Sequence, residues 1–465
     1  MKPFKPVDRE DMTYFTSLLG ERAVFGDGLS EDYAHDEMTE YGHFAPEALL
    51  LPTSAQEVSG ILRYCNEKNI AVTPRGAGTG LCGGCVPIHG GIVLSVEKMK
   101  RVLEVDVKNM TATLEPGILL MELPKHLEGT GLFYPPDPGE KTATIGGNVM
   151  TNAGGMRAVR YGVTRDYVLG LEAVLPSGEI ITLGGKTVKN SSGYSLLHLL
   201  IGSEGTLAVV TGLTVKLIPE PRANVSLLFP FDDLKQCIQA VPAVLACGCE
   251  PTAVEFMERE VISCAETYLG KKFPDTKADA YLLVRLDGSS EEALTAGIDA
   301  LTDLAREAGA KDALLADTDE RKESIWNARG AFLEAIKGST PSMDECDVVV
   351  PRDQIAPFVQ RSIEIGKAHG VRICSFGHAG DGNLHLYVCQ DGLGEDDWKQ
   401  RVTAVMDGLY ATAEALQGEV SGEHGIGHAK RDFLAHSVGK ENVQLMKGIK
   451  SVFDPNGILN PGKVV

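Results

Sequence analysis

Between Pro74 and Gly91 the chain places seven glycines and two prolines in eighteen residues, and this density limits the fold more than any other feature. The spacing Gly78-x-Gly80-x-x-Gly83 matches the fingerprint of a dinucleotide-binding turn, which works by opening a helix whose N-terminus faces a pyrophosphate. Here Gly83-Gly84, Pro87 and Gly90-Gly91 follow at once. Glycine costs about 1 kcal/mol per helical position and proline about 3, so no helix survives and the Rossmann reading falls. What remains is an extended loop whose amides can wrap a phosphate, with Arg75 alongside, or which simply turns.

Glycine is abundant throughout, 52 of 465 residues against roughly 7% in typical chains, and the excess clusters between residues 76 and 205. After Pro135-Pro136-Asp137-Pro138 come Thr142-Ala143-Thr144-Ile145-Gly146-Gly147-Asn148, Thr151-Asn152-Ala153-Gly154-Gly155, Tyr161-Gly162 and Gly202-Ser203-Glu204-Gly205-Thr206. Small residues this dense let backbone reach a large flat ligand edge-on and offer it both N–H and C=O groups, as an isoalloxazine ring requires. Gly185-Lys186-Thr187 resembles the end of a P-loop, but the glycine that motif needs would fall at Ile180. His198, in the apolar run Leu196 to Ile201, reads as a core histidine.

The formal net charge of −20 argues against nucleic acid, which needs a basic stripe, and against docking on an anionic membrane. No run approaches the ~18 apolar residues of a membrane span, and the N-terminus lacks an apolar signal core. Ten cysteines without a secretion signal suggest a reducing cytoplasm and free thiols. Cys82-Gly-Gly-Cys85 is a lone CxxC, structural or redox, with no second pair for zinc. No iron–sulfur spacing is present.

The periodicity predicts an α+β chain. Ala48 to Leu51, Ile70 to Thr73, Ile92 to Val96, Val102 to Val107, Met110 to Glu115, and Val174-Leu175 with Ile180 to Leu183 read as strands. Ser54 and Glu57 make a capping box for a helix carrying Val58, Ile61, Leu62 and Cys65. A composition change at Pro219-Glu220-Pro221 marks a boundary. Beyond it, Tyr281 to Leu286, Ala313 to Ala316, Val348 to Val350, Val371 to Phe376 and Leu384 to Cys389 are strands. Ser289 and Glu292 cap a helix with Leu294, Ile298, Leu301 and Leu304 on one face, and a second helix runs from about Gln354 to His369. That order predicts a ferredoxin-like, split βαβ domain. The expected divisions are 1–44, 45–220, 221–420 and 421–465.

Reactive side chains gather near the C-terminus. Five of the eleven histidines lie between 378 and 436. His378 and His385 flank the turn Ala379-Gly380-Asp381-Gly382 and can converge; with Glu423 they supply two nitrogens and an oxygen, a set suited to zinc, iron or manganese. By spacing alone this is either a metal site or a hydrogen-bonded polar cluster. Arg329, in Trp326-Asn-Ala-Arg329, is either an anion receptor or a solvated helix arginine.

Taken together, Pro74 to Gly80, Thr144 to Gly147 with Asn152 to Gly155, and Gly202 to Thr206 resemble the FAD domain of the vanillyl-alcohol-oxidase/p-cresol-methylhydroxylase superfamily. Gly377 to His385, Ser421 to Gly427 and Asn456 to Lys463 narrow the resemblance to its D-lactate dehydrogenase and glycolate oxidase catalytic-subunit branch. The resemblance runs from about residue 45 to the C-terminus. It implies an FAD-binding domain, a ferredoxin-like cap over the substrate, and a C-terminal segment returning to the flavin. It implies FAD contacts from Pro74, Arg75, Gly76, Ala77, Gly78, Thr79, Gly80, Asp137, Thr142, Thr144, Gly147, Asn152, Ala153, Gly154, Gly155, Gly162, Glu204, Gly205, Val209 and Asn460. Many members attach FAD through a histidine in the first loop; Pro74 to Val86 contains none, so attachment should be non-covalent.

The resemblance also implies a divalent ion on His378, His385 and Glu423, His424 as the base, and Arg329 on the substrate carboxylate. Some relatives that take diacids carry lysine where Glu345 aligns, so a small D-2-hydroxy monoacid is expected, D-lactate before glycolate. The chain offers no onward electron carrier, so a partner is expected: an electron-transferring flavoprotein or an iron–sulfur subunit. The rival readings are a self-sufficient oxidase of another alcohol or sugar lactone, and a non-catalytic flavin-binding subunit.

Overall fold

Short apolar, β-branched runs build the first unit, which comprises Val163–Glu220, Glu423–Val465 and the chain up to Ala153 in a computed structural model describing residues 3–465. Strands β1 (Ala23–Phe25), β2 (Ala48–Leu50), β3 (Val72–Arg75) and β4 (Ile92–Ser95) form a sheet in the order β1-β2-β4-β3. β2, β4 and β3 run parallel, and β2 and β4 are buried throughout, as the apolar runs of parallel strands require. β3 begins at Val72, two residues later than the apolar run suggests. The preceding helix, Ala55–Lys68, ends on left-handed Asn69, and the Ile70 amide is spent on Cys65 O. Ser54 caps that helix, but Glu57 does not close the box: its carboxylate takes the Thr53 amide and Arg22 instead.

A second, antiparallel sheet follows. Strands β5 (Val102–Asp106), β6 (Thr111–Leu114), β8 (Val168–Val174), β9 (Ile180–Gly184) and β10 (Val209–Lys216) lie in the order β5-β6-β10-β8-β9, while β7 (Leu132–Phe133) pairs with β11 (Ile218–Pro219). The core beside the parallel sheet joins Phe15 and Leu19 from the helix Arg9–Leu19, Val58, Ile61 and Leu62, and Ile458 and Leu459 from the C-terminal segment. Residues from before position 45 and from the C-terminal segment thus meet in one core. His198 lies exposed, its Nδ1 2.6 Å from Ser195 Oγ, so it is not a core residue: the helix Leu196–Leu200 is too short to bury both faces.

The second unit comprises Gly154–Gly162 and Pro221–Gly422. Its seven antiparallel strands are β12 (Ala223–Phe231), β13 (Ala253–Glu258), β14 (Ala280–Gly288), β15 (Leu314–Ala316), β16 (Met343–Val349), β17 (Arg372–His378) and β18 (Asn383–Cys389), in the order β15-β12-β14-β13-β17-β18-β16. The first four stand in the 4-1-3-2 arrangement of a split βαβ unit, and the other three widen the sheet. The helix Glu291–Glu307 is capped by Ser290, which accepts from the Ala293 amide, not by Ser289: the cap must sit next to the first helical turn to reach its free N–H groups. The helix Ile355–His369 ends on left-handed Gly370. Gly154–Gly162 is tied in by Tyr161 Oη donating to Asp287 Oδ2 at 2.9 Å and Arg160 Nη1 donating to Asp287 O at 2.8 Å.

Cys247 and Cys249 form a disulfide, correcting the expectation of free thiols throughout; the other eight cysteines are free. Among the described residues no helix is long and apolar enough to cross a membrane.

Candidate active site

Side chains on a strand alternate faces, so antiparallel register decides which distant residues share a surface. In the second unit it aligns Glu255, His378 and Asn383 in one row, Phe376, His385 and Asp347 in the next, and Tyr387 and Glu345 beyond. The turn between β17 and β18 is made by left-handed Gly382, φ +91°, with Asp381 Oδ1 accepting the Asn383 amide. His378 and His385 become diagonal neighbours, their rings 5.1 Å apart and perpendicular. Both are buried. His385 also lies with Glu345 and Asp347, each offering a ligand atom within 4.8 Å of the others.

Each imidazole has a carboxylate behind it. His378 Nδ1 is 2.8 Å from Glu255 Oε1 and 3.0 Å from Oε2. His385 Nδ1 is 3.7 Å from Asp347 Oδ1. Asp347 is itself held by Asn383 Nδ2 at 2.7 Å, Ser421 Oγ at 2.8 Å and the Gly422 amide at 3.0 Å. Arg329, from the helix Asp319–Gly330, is buried rather than solvated. Its Nη2 and Nε donate to Glu255 Oε2 at 2.6 and 3.0 Å, and its guanidinium lies 4.5 Å from the Phe376 ring centre. Burial pushes the Glu255 carboxyl up, but His378 and Arg329 outweigh it and hold it below its ordinary value.

In the first unit the glycine tracts are held from beneath by the C-terminal segment. Gly427, φ +52°, packs so closely that a Cβ would fall 1.8 Å from Cys82 O, and that oxygen accepts the His428 and Ala429 amides. Glu204 accepts the Ile426 and Gly427 amides at 2.8 and 2.7 Å. Asn460 Nδ2 donates to Gly84 O and Glu204 O, and Lys463 Nζ donates to Val86 O at 2.5 Å. Burial lowers Lys463 to about 8 against the pull of Cys85, Glu204 and Asp36. Burial lowers His428 to about 4, with Lys463 adding to the shift, and raises Asp36 to about 6, opposed by the Met38 and Gly83 amides.

The sequence-expected cofactor residues fall unevenly. Pro74 and Arg75 end β3, and Gly76 to Gly80 form the loop beyond it. Gly76 faces Thr144, whose hydroxyl a Cβ would meet at 2.3 Å, and Thr144 accepts the Gly147 amide at the start of the helix Ile145–Thr151. Asn152 caps that helix in the left-handed region and accepts the Arg165 amide; Ala153 O accepts from Thr164. Gly205 packs on Pro74, and Val209 opens β10. Asp137 pairs with Lys141, while Thr142 is exposed. Gly154, Gly155 and Gly162 group with the second unit. Arg75 Nη1 donates to His35 O and Nη2 to Asp32 O, both at 2.7 Å, with Cys85 Sγ at 3.3 Å. Its fork braces the loop because those carbonyls surround it. Glu423 and His424 open the last stretch of the first unit, directly after Gly422, with His424 Nε2 3.9 Å from Glu423 Oε1.

Two family models cover most of the chain: an FAD binding domain over residues 46–184 and the C-terminal domain of FAD linked oxidases over residues 220–464. The chain belongs to the FAD-linked oxidase family. It is 49% identical to a D-lactate dehydrogenase of Anaerostipes hadrus, across 99% of this chain and 98% of the relative. It is 39% identical to the glycolate oxidase subunit GlcD of Bacillus subtilis, across 93% and 91%. The solved structure of p-cresol methylhydroxylase with substrate bound shares the fold at a TM-score of 0.82 and 17% identity, covering 99% of this chain and 98% of that one. The enzyme therefore has the expected vanillyl-alcohol-oxidase/p-cresol-methylhydroxylase architecture, and FAD is its cofactor. The first unit fits such a group: Asn148 Nδ2 and Ser203 Oγ, one from each later glycine tract, are buried with no hydrogen-bond partner among the described residues, and buried polar atoms require one.

Sequence reasoning missed Glu255, Asp347 and Asn383. A signal existed for Glu255, a carboxylate set between the apolar pairs Ala253-Val254 and Phe256-Met257, since buried carboxylates are rare unless paired.

Proposed function

We propose that the enzyme is an FAD-dependent dehydrogenase of a small D-2-hydroxy acid, D-lactate first and glycolate next. The observation that carries this reading is the buried face with two imidazoles, three carboxylates and Arg329, in a chain closely similar to a D-lactate dehydrogenase. FAD, held non-covalently by the first unit, would accept the C2 hydride at N5. A divalent ion fits the donor set on the sheet face; His378, His385 and Glu423 would hold it, and it would lower the pKa of the substrate hydroxyl. Glu423 directly follows Gly422, whose amide donates to Asp347, which supports this assignment. His424 takes the hydroxyl proton. Arg329 receives the substrate carboxylate, through Nη1, because Nε and Nη2 are engaged by Glu255. Buried Glu345 disfavours a second carboxylate on the substrate. Eight free thiols suit a cytoplasmic enzyme, and electrons pass to an electron-transferring flavoprotein or iron–sulfur subunit.

The test is a panel of D- and L-2-hydroxy acids assayed with an artificial acceptor and then with oxygen alone. D-lactate should turn over fastest, and the dye-linked rate should far exceed peroxide formation. Equal rates would make the chain a self-sufficient oxidase; no turnover by any hydroxy acid would leave a flavin-binding subunit. Acid or heat should release all the FAD, and flavin left on the denatured chain would overturn non-covalent binding.

A further inference from the structure

We propose that Glu255 is a positioning residue that orients the metal-binding imidazole of His378 and the carboxylate receptor Arg329 with one buried carboxylate. This rests on the reading that His378 and His385 hold a divalent ion.

A carboxylate only accepts hydrogen bonds, so the nitrogen facing it must carry the proton. With Glu255 oxygens 2.8 and 3.0 Å from His378 Nδ1, that nitrogen is the N–H donor and the basic lone pair lies on Nε2. Metal-binding imidazoles are generally fixed this way, and the partner raises their basicity. Asp347 stands behind His385 Nδ1 at the longer distance of 3.7 Å, anchored by Asn383, Ser421 and the Gly422 amide. At that distance Asp347 makes no hydrogen bond to the His385 ring, so the orienting contact is the one Glu255 makes to His378. Register makes this possible: Glu255 pairs with His378 across β13 and β17, and Asp347 with His385 across β16 and β18.

Glu255 also spends Oε2 on two Arg329 nitrogens. The guanidinium is thereby fixed against Phe376, and the Glu255 charge is matched before any metal arrives. Substituting Glu255 should therefore disturb metal affinity and substrate affinity together. Glu258 supplies the control: it lies on the same strand, is half-buried and bonds Ser375, but its side chain points to the opposite face.

The experiment measures bound metal by elemental analysis, and Mn²⁺ affinity by competition, in the FAD-loaded wild type, E255Q, E258Q and H378A. One ion per chain is expected in the wild type and little in H378A. E255Q should bind Mn²⁺ roughly 10–100-fold more weakly and show a raised KM for D-lactate, while E258Q keeps wild-type affinity. A wild type that binds no ion overturns the metal reading and this inference with it. A metal-loaded wild type with E255Q of equal affinity overturns the inference alone, as does equal weakening in E258Q. Should E255Q fail to fold, E255D carries the test: it keeps the charge but draws the oxygens back from Nδ1, and unchanged Mn²⁺ affinity there is equally fatal.

Discussion

The two units hold their candidate residues by different means. In the first, the glycine tracts are fixed through backbone: Cys82, Gly84 and Val86 carbonyls and the Ile426 and Gly427 amides make the bonds. In the second, the work is done between side chains, Arg329 to Glu255 to His378 and Asn383 to Asp347. A backbone cradle tolerates many side chains but not a new Cβ at its closest approaches. A side-chain network tolerates little chemical change but keeps its shape when one group is trimmed. The first suits a large, permanently held cofactor and the second a small substrate that comes and goes.

This contrast can be broken most decisively at His378. His378→Ala should cut kcat/KM for D-lactate by about a thousandfold or more, in the range expected for losing metal and acid–base assistance, while the flavin absorbance per chain stays unchanged. Loss of flavin in that variant would mean the units are not separable in this way. Arg329→Lys comes next. A lysine ammonium cannot hold Glu255 through two nitrogens and also offer a third to the substrate carboxylate, so KM should rise roughly 10–100-fold with a smaller change in kcat, read from steady-state kinetics.

How much of this was legible follows the same division. The glycine tracts could be read because a backbone site needs particular residues in sequence order, and left-handed or tightly packed positions such as Gly78 and Gly427 accept little else. The His378–His385 turn was legible for the same reason. Glu255 and Asp347 were not, because they lie 123 and 38 positions from the histidines they back (378 − 255 and 385 − 347), and only sheet register joins them. For Arg75 the sequence showed its place beside the loop but not its partners, because the carbonyls it bonds come from residues 32 and 35.

A smaller effect is expected in the first unit from Gly427→Ala. The left-handed backbone and the Cys82 carbonyl together should cost about 1–3 kcal/mol locally, seen as roughly tenfold weaker FAD retention, with near-normal turnover once FAD is restored. The smallest concerns acid. His428 is held neutral down to about 4 against its ordinary 6.5, so the folded protein binds fewer protons than the unfolded chain between those values, and this contribution to stability is lost as pH falls through that window. Asp36, raised to about 6 from 3.8, acts in the opposite sense over nearly the same range. His428→Gln should therefore lose less thermal stability than the wild type between pH 6.5 and pH 4, measured by melting at each pH.

The most direct test of the central claim is the visible spectrum of the purified enzyme during anaerobic addition of D-lactate. The account predicts a yellow protein whose flavin absorbance bleaches as D-lactate is added, does not bleach with L-lactate, and bleaches far more slowly in His378→Ala. A flavin-loaded protein whose spectrum is unmoved by any D-2-hydroxy acid would contradict it.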